Sequence, residues 1–259
     1  MELAFDTFAL LTAIAFVAGA IDALAGGGGL LTIPALLASG VPPVAALATN
    51  KLQSAVGTAS AFATFWRAGH VDLRRFTLPA AGAFAGAVAG AVAVQHVNPR
   101  FLAAFVPVLL IAMALYFLLA PPMSDSDRHA RLGRAGLTGV VTLLGFYDGF
   151  FGPGTGSFLT TALVALGGLG LVRAIANTKF LNLATNIAAL VAMIAGGKVL
   201  WLLGGAMAVA NVAGNQCGTW AALRFGGKGV RVLLVVMSIG LTVKLLADPA
   251  NPLRQALGY

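Results

Sequence analysis

Charge is scarce in this chain. Of 259 residues, 8 are acidic and 16 basic, so charged residues make up 9%, where a soluble domain carries about 25%. Cysteine is nearly absent: Cys217 stands alone in an apolar stretch, which excludes an intrachain disulfide and implies no thiol or metal chemistry. The three histidines, His70, His96 and His129, fall in or next to separate loops and form no cluster, so no metal site is expected. No basic run is interleaved with aromatics, so the net charge of +8 and the pI of about 10.4 do not read as nucleic-acid binding. The GGGG run at 26–29 has no following GK[ST], so no nucleotide loop is present and no cofactor is expected. No Ser/His or carboxylate cluster sets a nucleophile beside a base, which argues against an intramembrane enzyme.

What the chain has is apolar length. Hydrophobic residues make up 59%, the mean hydropathy is +0.93, and there are 33 glycines and 11 prolines. That composition describes a polytopic membrane protein in a lipid bilayer, with broken helices and close helix packing. Apolar segments run over Phe5–Leu24, Leu30–Ala38, Val44–Trp66, Leu73–Val94, Phe101–Ala120, Ala135–Phe151, Ser157–Leu169, Ala174–Ala195, Val199–Leu223 and Val230–Leu246. The first follows Glu2 and Asp6 rather than a basic stretch, and is read as mature structure rather than a cleaved signal. The one long polar stretch, Pro121 to Arg134, divides the chain near its middle.

The two halves resemble each other. Asp22-Ala-Leu-Ala-Gly26-Gly27-Gly28-Gly29 matches Asp148-Gly-Phe-Phe-Gly152-Pro153-Gly154-Thr155 at an offset of 126 (148 − 22). Ala48-Thr49-Asn50-Lys51 matches Ala176-Asn177-Thr178-Lys179 at 128 (179 − 51), as Gly69 and Val71 match Gly197 and Val199. Gly86 and Gly90 match Gly214 and Gly218 at the same 128. The reading is a single transmembrane domain over 1–259, with repeat 1 at 1–120, a cytoplasmic linker at 121–134 and repeat 2 at 135–259. Each repeat is expected to hold a broken-helix hairpin followed by three transmembrane helices.

If each hairpin returns to the side it entered, each repeat crosses the membrane an odd number of times and the two are inverted. One face then receives Arg67, Arg74, Arg75, Arg128, Arg131, Arg134, Arg173, Arg224, Lys228 and Arg231. The other receives Arg100, Lys198, Lys244 and Arg254. A parallel arrangement splits the arginine clusters between the two sides. The positive-inside rule therefore favours inverted repeats with both termini outside.

Four ionisable residues fall deep in apolar segments: Asp22, Lys51, Asp148 and Lys179. A charge in hydrocarbon costs ~2.5–3.5 kcal/mol, so each needs a cavity or a partner. The glycine breaks open two half-helices whose first N–H groups are free and whose dipoles favour an anion. The alternative is that these glycines only allow helices to cross closely. Lys179, Asn182 and Asn186 share one helix face, as do Lys51, Ser54 and Thr58. The two stripes read as a two-fold lined site, against lysines that snorkel to the headgroups. Asp22 and Asp148 have three roles open: caps of the breaks, proton carriers, or salt-bridge partners of Lys51 or Lys179. Asn211, Asn215 and Thr219, opposite Ala83, Ala87 and Ala91, set ligand selectivity or bond between helices. Gly82, Gly86, Gly90, Gly214 and Gly218 read as packing faces.

Asp-x-x-x-Gly-Gly-Gly-Gly followed by Pro34, then Ala-Thr-Asn-Lys, then Asp-Gly-x-x-Gly-Pro-Gly-x-Gly and Asn-Thr-Lys, resembles the sulfite exporter TauE/SafE family of membrane permeases. The similarity covers nearly the whole chain. It implies secondary transport of a small sulfur-containing anion (sulfite, sulfoacetate, related sulfonates or thiosulfate-like compounds) across a bacterial inner membrane. Proton or cation coupling accompanies that reading, and an anion channel using the same positive midplane site is its rival. Carried onto this chain, the motif positions are Asp22, Gly26 to Gly29, Thr49, Asn50 and Lys51. In the second repeat they are Asp148, Gly149, Gly152, Pro153, Gly154, Gly156, Asn177, Thr178 and Lys179. The first repeat has Ala23 where the second has Gly149, and no proline in its glycine run, so the two hairpins are expected to bend differently.

Overall fold

The computed structural model describes residues 4–119 and 126–225. The expected segment Val230–Leu246, the basic residues Lys228, Arg231, Lys244 and Arg254, and positions 121–125 of the linker lie outside the described residues. Among the described residues the chain is all α-helical: α1 (Phe5–Ala25), α2 (Gly29–Ala38), α3 (Pro43–Arg67), α4 (Leu73–Gln95), α5 (Pro99–Leu119), α6 (Arg134–Phe150), α7 (Thr155–Ala165), α8 (Leu171–Ala195) and α9 (Trp201–Phe225). Three of them are long and apolar enough to cross a membrane by themselves: α1 over Phe5–Ala23, α4 and α8.

Local chemistry sets the boundaries. Pro43 opens α3, where a missing N–H costs nothing, and Asp72 caps α4 by accepting from the Arg75 N–H at 3.0 Å. Gly26 ends α1 in the left-handed conformation (φ 70°), its N–H returning to the Asp22 carbonyl at 2.8 Å. The second break needs two such residues, Gly152 (φ 100°) and Gly154 (φ 80°), on either side of Pro153, so the hairpins do bend differently. α7 stops at Ala165, short of the expected Leu169. The Gly167 N–H folds back to the Ala162 carbonyl, and the linker's Arg128, Arg131 and Leu132 N–H groups bond to the turn at Leu166 and Gly168.

Within an apolar core the molecule buries a set of polar side chains, and it turns large apolar ones outward. Lys51, Lys179, Asn182, Asn186 and Asn215 are buried, whereas Leu143, Val191, Trp201, Leu202 and Val209 stand exposed. That distribution suits a protein whose solvent is hydrocarbon.

The same packing recurs at the sequence offset. α6 packs along α4 and α1 along α9. A Cβ on Gly86 would strike the Thr142 carbonyl, and one on Gly214 would strike that of Phe16. Gly90 meets Phe146 as Gly218 meets Ala20, and Gly145 meets Ala83 as Gly19 meets Asn211. Small residues thus let each pair of backbones approach within contact. α3 and α8 cross antiparallel: Phe62 stacks on Phe180 at 5.6 Å near one end, and Leu47 and Ala48 share a core cluster with Ala189 and Met193 near the other. The basic residues Arg67, Arg75, Arg128, Arg131, Arg134 and Arg173 gather with the Phe62 end. There Arg75 donates to the Gly167 carbonyl at 2.8 Å and Arg173 pairs with Asp127 at 2.5 Å.

Candidate functional site

Lys51 lies eight positions into α3 and Lys179 eight into α8 (51 − 43 = 179 − 171). Each is rooted roughly 12 Å along its helix at ~1.5 Å per residue. From there a lysine has the reach to snorkel, but both turn inward, with 2% and 1% of the side chain exposed. Lys51 Nζ lies 2.8 Å from Asp148 Oδ2 and donates to Asn186 Oδ1 at 3.2 Å. Lys179 Nζ lies 3.0 Å from Asp22 Oδ2 and also donates to the Asp22 main-chain carbonyl. Of the roles open to the aspartates, the geometry realises ion pairing, and α2 and α7 start without a side-chain cap. Each bridge joins opposite halves of the sequence: α3 to α6, and α8 to α1.

Between the bridges lies a small polar cavity of about 20 Å³ lined by Asp22, Gly26, Gly29, Asn50, Lys51, Ser54, Asp148, Gly152, Gly156, Asn182 and Asn186. Gly29 and Gly156 belong to the first turns of α2 and α7, where the Leu30, Leu31 and Thr155 N–H groups return to the Gly27, Gly28 and Gly152 carbonyls and the positive ends of both helix dipoles face the cavity. The two breaks also touch, since a Cβ on Gly26 would fall on the backbone of Gly156 and the reverse. The cavity is electrostatically balanced. Two ammonium groups are each neutralised by a carboxylate, and they are held by amides and backbone. Tyr147, beside Asp148 in sequence, turns its hydroxyl to the Pro153 carbonyl at 2.6 Å. Outside the membrane-spanning helices, the Gly170 N–H and then Arg173 hold the Asp127 carboxyl below its ordinary range. That pins the linker over the start of α8.

The remaining sequence-derived residues do not line the cavity. Gly27, Gly28 and Gly154 form the breaks themselves, with Gly28 seated against the Ala18 carbonyl. Asn177 accepts from the Asp72 N–H at 2.8 Å and donates to the His70 and Arg173 carbonyls, clamping the α3–α4 turn. Thr49 does the same for the α8–α9 connection through the Leu200 N–H at 3.2 Å. Thr178 bonds to Thr160 at 3.1 Å. Asn211 donates to the Ala15 carbonyl at 3.1 Å and Asn215 to Asn211 Oδ1 at 2.7 Å, at the junction of α9 with α1 and α3. Thr32 and Gln53 were missed by the sequence reading: both donate to Asn50 Oδ1, at 2.5 and 2.9 Å, and fix its orientation in the cavity wall. The signal was available for Thr32, because Thr32–Asn50 and Thr160–Thr178 are the same pair 128 positions apart (160 − 32). Among the described residues no three His, Cys, Asp or Glu side chains are grouped to hold a metal.

The sulfite exporter TauE/SafE family matches residues 11–245. The chain is 47% identical to a probable membrane transporter protein, ORF9, of a Sinorhizobium species, over all of this chain and 99% of that one. It is 40% identical to a probable membrane transporter protein of Haemophilus influenzae, covering 96% of this chain and 98% of that one. It is 44% identical to the probable membrane transporter protein YfcA of Escherichia coli K12, covering 91% and 88%. No solved structure matches it. Fold, buried polar site and sequence agree: this chain is a multi-pass membrane protein of the sulfite exporter TauE/SafE family, a family of transporters rather than enzymes.

Proposed function

We propose that the protein is a secondary transporter of small sulfur-containing anions, such as sulfite, sulfoacetate or related organosulfonates, across the bacterial inner membrane by alternating access. The observation that carries this reading is the buried polar cavity where two glycine breaks meet Lys51 and its amide neighbours. A sulfonate or sulfite group presents three oxygens around one centre. The amides of Asn50, Asn182 and Asn186, the Ser54 hydroxyl and the Lys51 ammonium supply donors from several directions, and the positive ends of the α2 and α7 dipoles at Gly29 and Gly156 add to them. Gly27, Gly28, Gly154, Asn177, Thr178, Asn211 and Asn215 hold the frame around those donors.

The architecture proposed is two inverted repeats, 1–120 and 135–259, joined by a cytoplasmic linker at 121–134, with six full crossings, two hairpins and both termini outside. Its support is the recurrence of the glycine contacts at the repeat offset, together with the antiparallel crossing of the equivalent helices α3 and α8. An axis that exchanges antiparallel spanning helices lies in the membrane plane, which is the geometry of inverted repeats. Apolar clusters close both ends of the α3–α8 pair: Phe65 with Ile175 and Ala176 at one, Leu47 and Ala48 with Met193 at the other. Apolar packing at both ends of that pair favours a carrier over a channel.

The test is counterflow in proteoliposomes. With unlabelled sulfite, sulfoacetate or methanesulfonate inside and labelled tracer outside, a carrier gives transient tracer accumulation that Lys51→Gln abolishes. Steady, voltage-driven flux without accumulation would make the protein a channel instead.

A further inference from the structure

The cavity has no net positive charge, because Lys51 in its wall and Lys179 behind Asp22 each already hold a carboxylate. An anion entering it would sit in a buried site beside two aspartates, and a buried charge without a partner is strongly unfavourable. Something must leave or be neutralised when the anion arrives. Resting on the transport reading above, we infer that the anion exchanges with Asp148 on Lys51, and that the released Asp148 carboxylate takes a proton from the same aqueous side. One anion and one proton then move together.

The two bridges are not equivalent, and the difference selects Lys51–Asp148. Lys51 lines the cavity, and its second partner is the neutral amide of Asn186 at 3.2 Å. Lys179 does not line the cavity, and it is tied to both the carboxylate and the main-chain carbonyl of Asp22. Gly152 faces the Lys51 ammonium without a side chain: a Cβ there would lie 2.9 Å from Nζ and 3.2 Å from Asp148 Oδ1. The absent side chain leaves the bridge open to an exchanging ligand. The charged groups around Asp148 are few. Lys51 comes from α3, with Lys179 on α8 and Asp22 on α1 forming the other bridge. α7 has no ionisable residue, and α4 meets the neighbouring Gly149 through Ala87. On its own helix Asp148 adjoins Tyr147, whose hydroxyl is committed to Pro153.

Charge balance supplies the coupling. In the empty state Lys51 carries +1 and Asp148 −1. In the loaded state Lys51 carries +1, a monovalent sulfonate −1, and Asp148 is a neutral acid. Both states are neutral and can pass through an occluded form. A proton bound without the anion, or an anion without the proton, leaves one uncompensated buried charge and is blocked. The proton comes from bulk water and forms an O–H bond on the Asp148 carboxyl. On the far side the bond breaks, the Lys51–Asp148 bridge re-forms, and the anion is released.

The probe is methanesulfonate, a strong-acid anion that carries no proton of its own. Wild-type protein in liposomes loaded with a pH dye, with the voltage clamped by potassium and valinomycin, should show one proton entering per methanesulfonate. An acidic exterior should drive accumulation. Its apparent affinity should weaken as pH rises, by at most about tenfold per unit, the limit that one-proton linkage sets. In Asp148→Asn the anion still compensates Lys51, so counterflow and thermal stabilisation by methanesulfonate persist. Affinity becomes independent of pH, and accumulation driven by the pH gradient is lost. Should that variant fail to fold, the wild-type proton count alone decides. Methanesulfonate uptake without proton movement overturns the inference and leaves the transport reading intact. So does gradient-driven uptake that survives in Asp148→Asn but is lost in Asp22→Asn. Absence of any methanesulfonate counterflow overturns both.

Discussion

Removing one member of the Lys51–Asp148 bridge should be far more harmful than removing both. The two groups lie 2.8 Å apart with 2% and 3% of their side chains exposed. At an effective dielectric of about 20, their attraction is about 6 kcal/mol, which largely offsets the cost of taking both charges out of water. Lys51→Gln strips Asp148 of that attraction but leaves its desolvation, and Asp148→Asn does the same to Lys51. Each single variant should therefore lose roughly 3–5 kcal/mol of stability. Lys51→Gln/Asp148→Asn removes both charges, replaces them with neutral groups able to bond to each other, and should recover most of that loss. The equivalent changes at Lys179 and Asp22 should be milder, because Asp22 is 14% exposed and Lys179 keeps the main-chain carbonyl. The assay is denaturant unfolding in mixed micelles, run as a double-mutant cycle. A double variant no more stable than either single one, or single variants as stable as wild type, would refute the reasoning.

Three further outcomes follow from the geometry. Gly156→Ala should destabilise the protein and suppress counterflow, because the added methyl falls on the Gly26 backbone and wedges the two breaks apart; a fully active variant would show that the breaks need not touch. Asn177→Ala should cost about 1–3 kcal/mol by orphaning the buried groups it clamps. It should leave anion affinity in counterflow nearly unchanged, whereas Asn186→Ala, which loosens Lys51, should weaken it several-fold. Asp127 is held ionised by the Gly170 N–H and Arg173, so its folded value lies below its unfolded one. Its contribution is present above the unfolded pKa of about 3.9 and is lost as pH falls through the lower folded value. Limited proteolysis of the linker should be faster in Asp127→Asn than in wild type at neutral pH, and the two should converge in strong acid.

Much of this arrangement was legible in the sequence because the chain says most things twice. The fixed offset marked Lys51 with Lys179, the glycine breaks and the small-residue faces at Gly86, Gly90, Gly214 and Gly218, and the helices begin within a few residues of the expected positions. The partners across the molecule were not legible. Spacing placed Asp22 before one break and Lys179 on a later helix, but only the folded Lys179–Asp22 pair shows that the bridges run between halves. Asn177 shows the limit of motif reading. It sits in the same tetrapeptide as Lys179, yet it points away from the cavity and holds a turn, because residues two apart on a helix face different directions. The polar stripe of α9 was ambiguous for a related reason: in an apolar solvent, an amide that binds a ligand and one that binds a neighbouring backbone look alike in sequence. Ala15 and Gly57, which lie against Asn211, are not adjacent to it in the chain.

The central claim is that the cavity between the two breaks is the passage for the anion. Cys217, the single cysteine, is exposed, so a Cys217→Ala/Ser54→Cys protein carries one thiol, placed in the cavity wall. A membrane-impermeant methanethiosulfonate applied in separate experiments to each face of oriented vesicles should modify that thiol from both. Sulfoacetate should protect it at concentrations that also saturate counterflow. A thiol that reacts at an unchanged rate when sulfoacetate saturates transport would place the passage elsewhere and contradict the account.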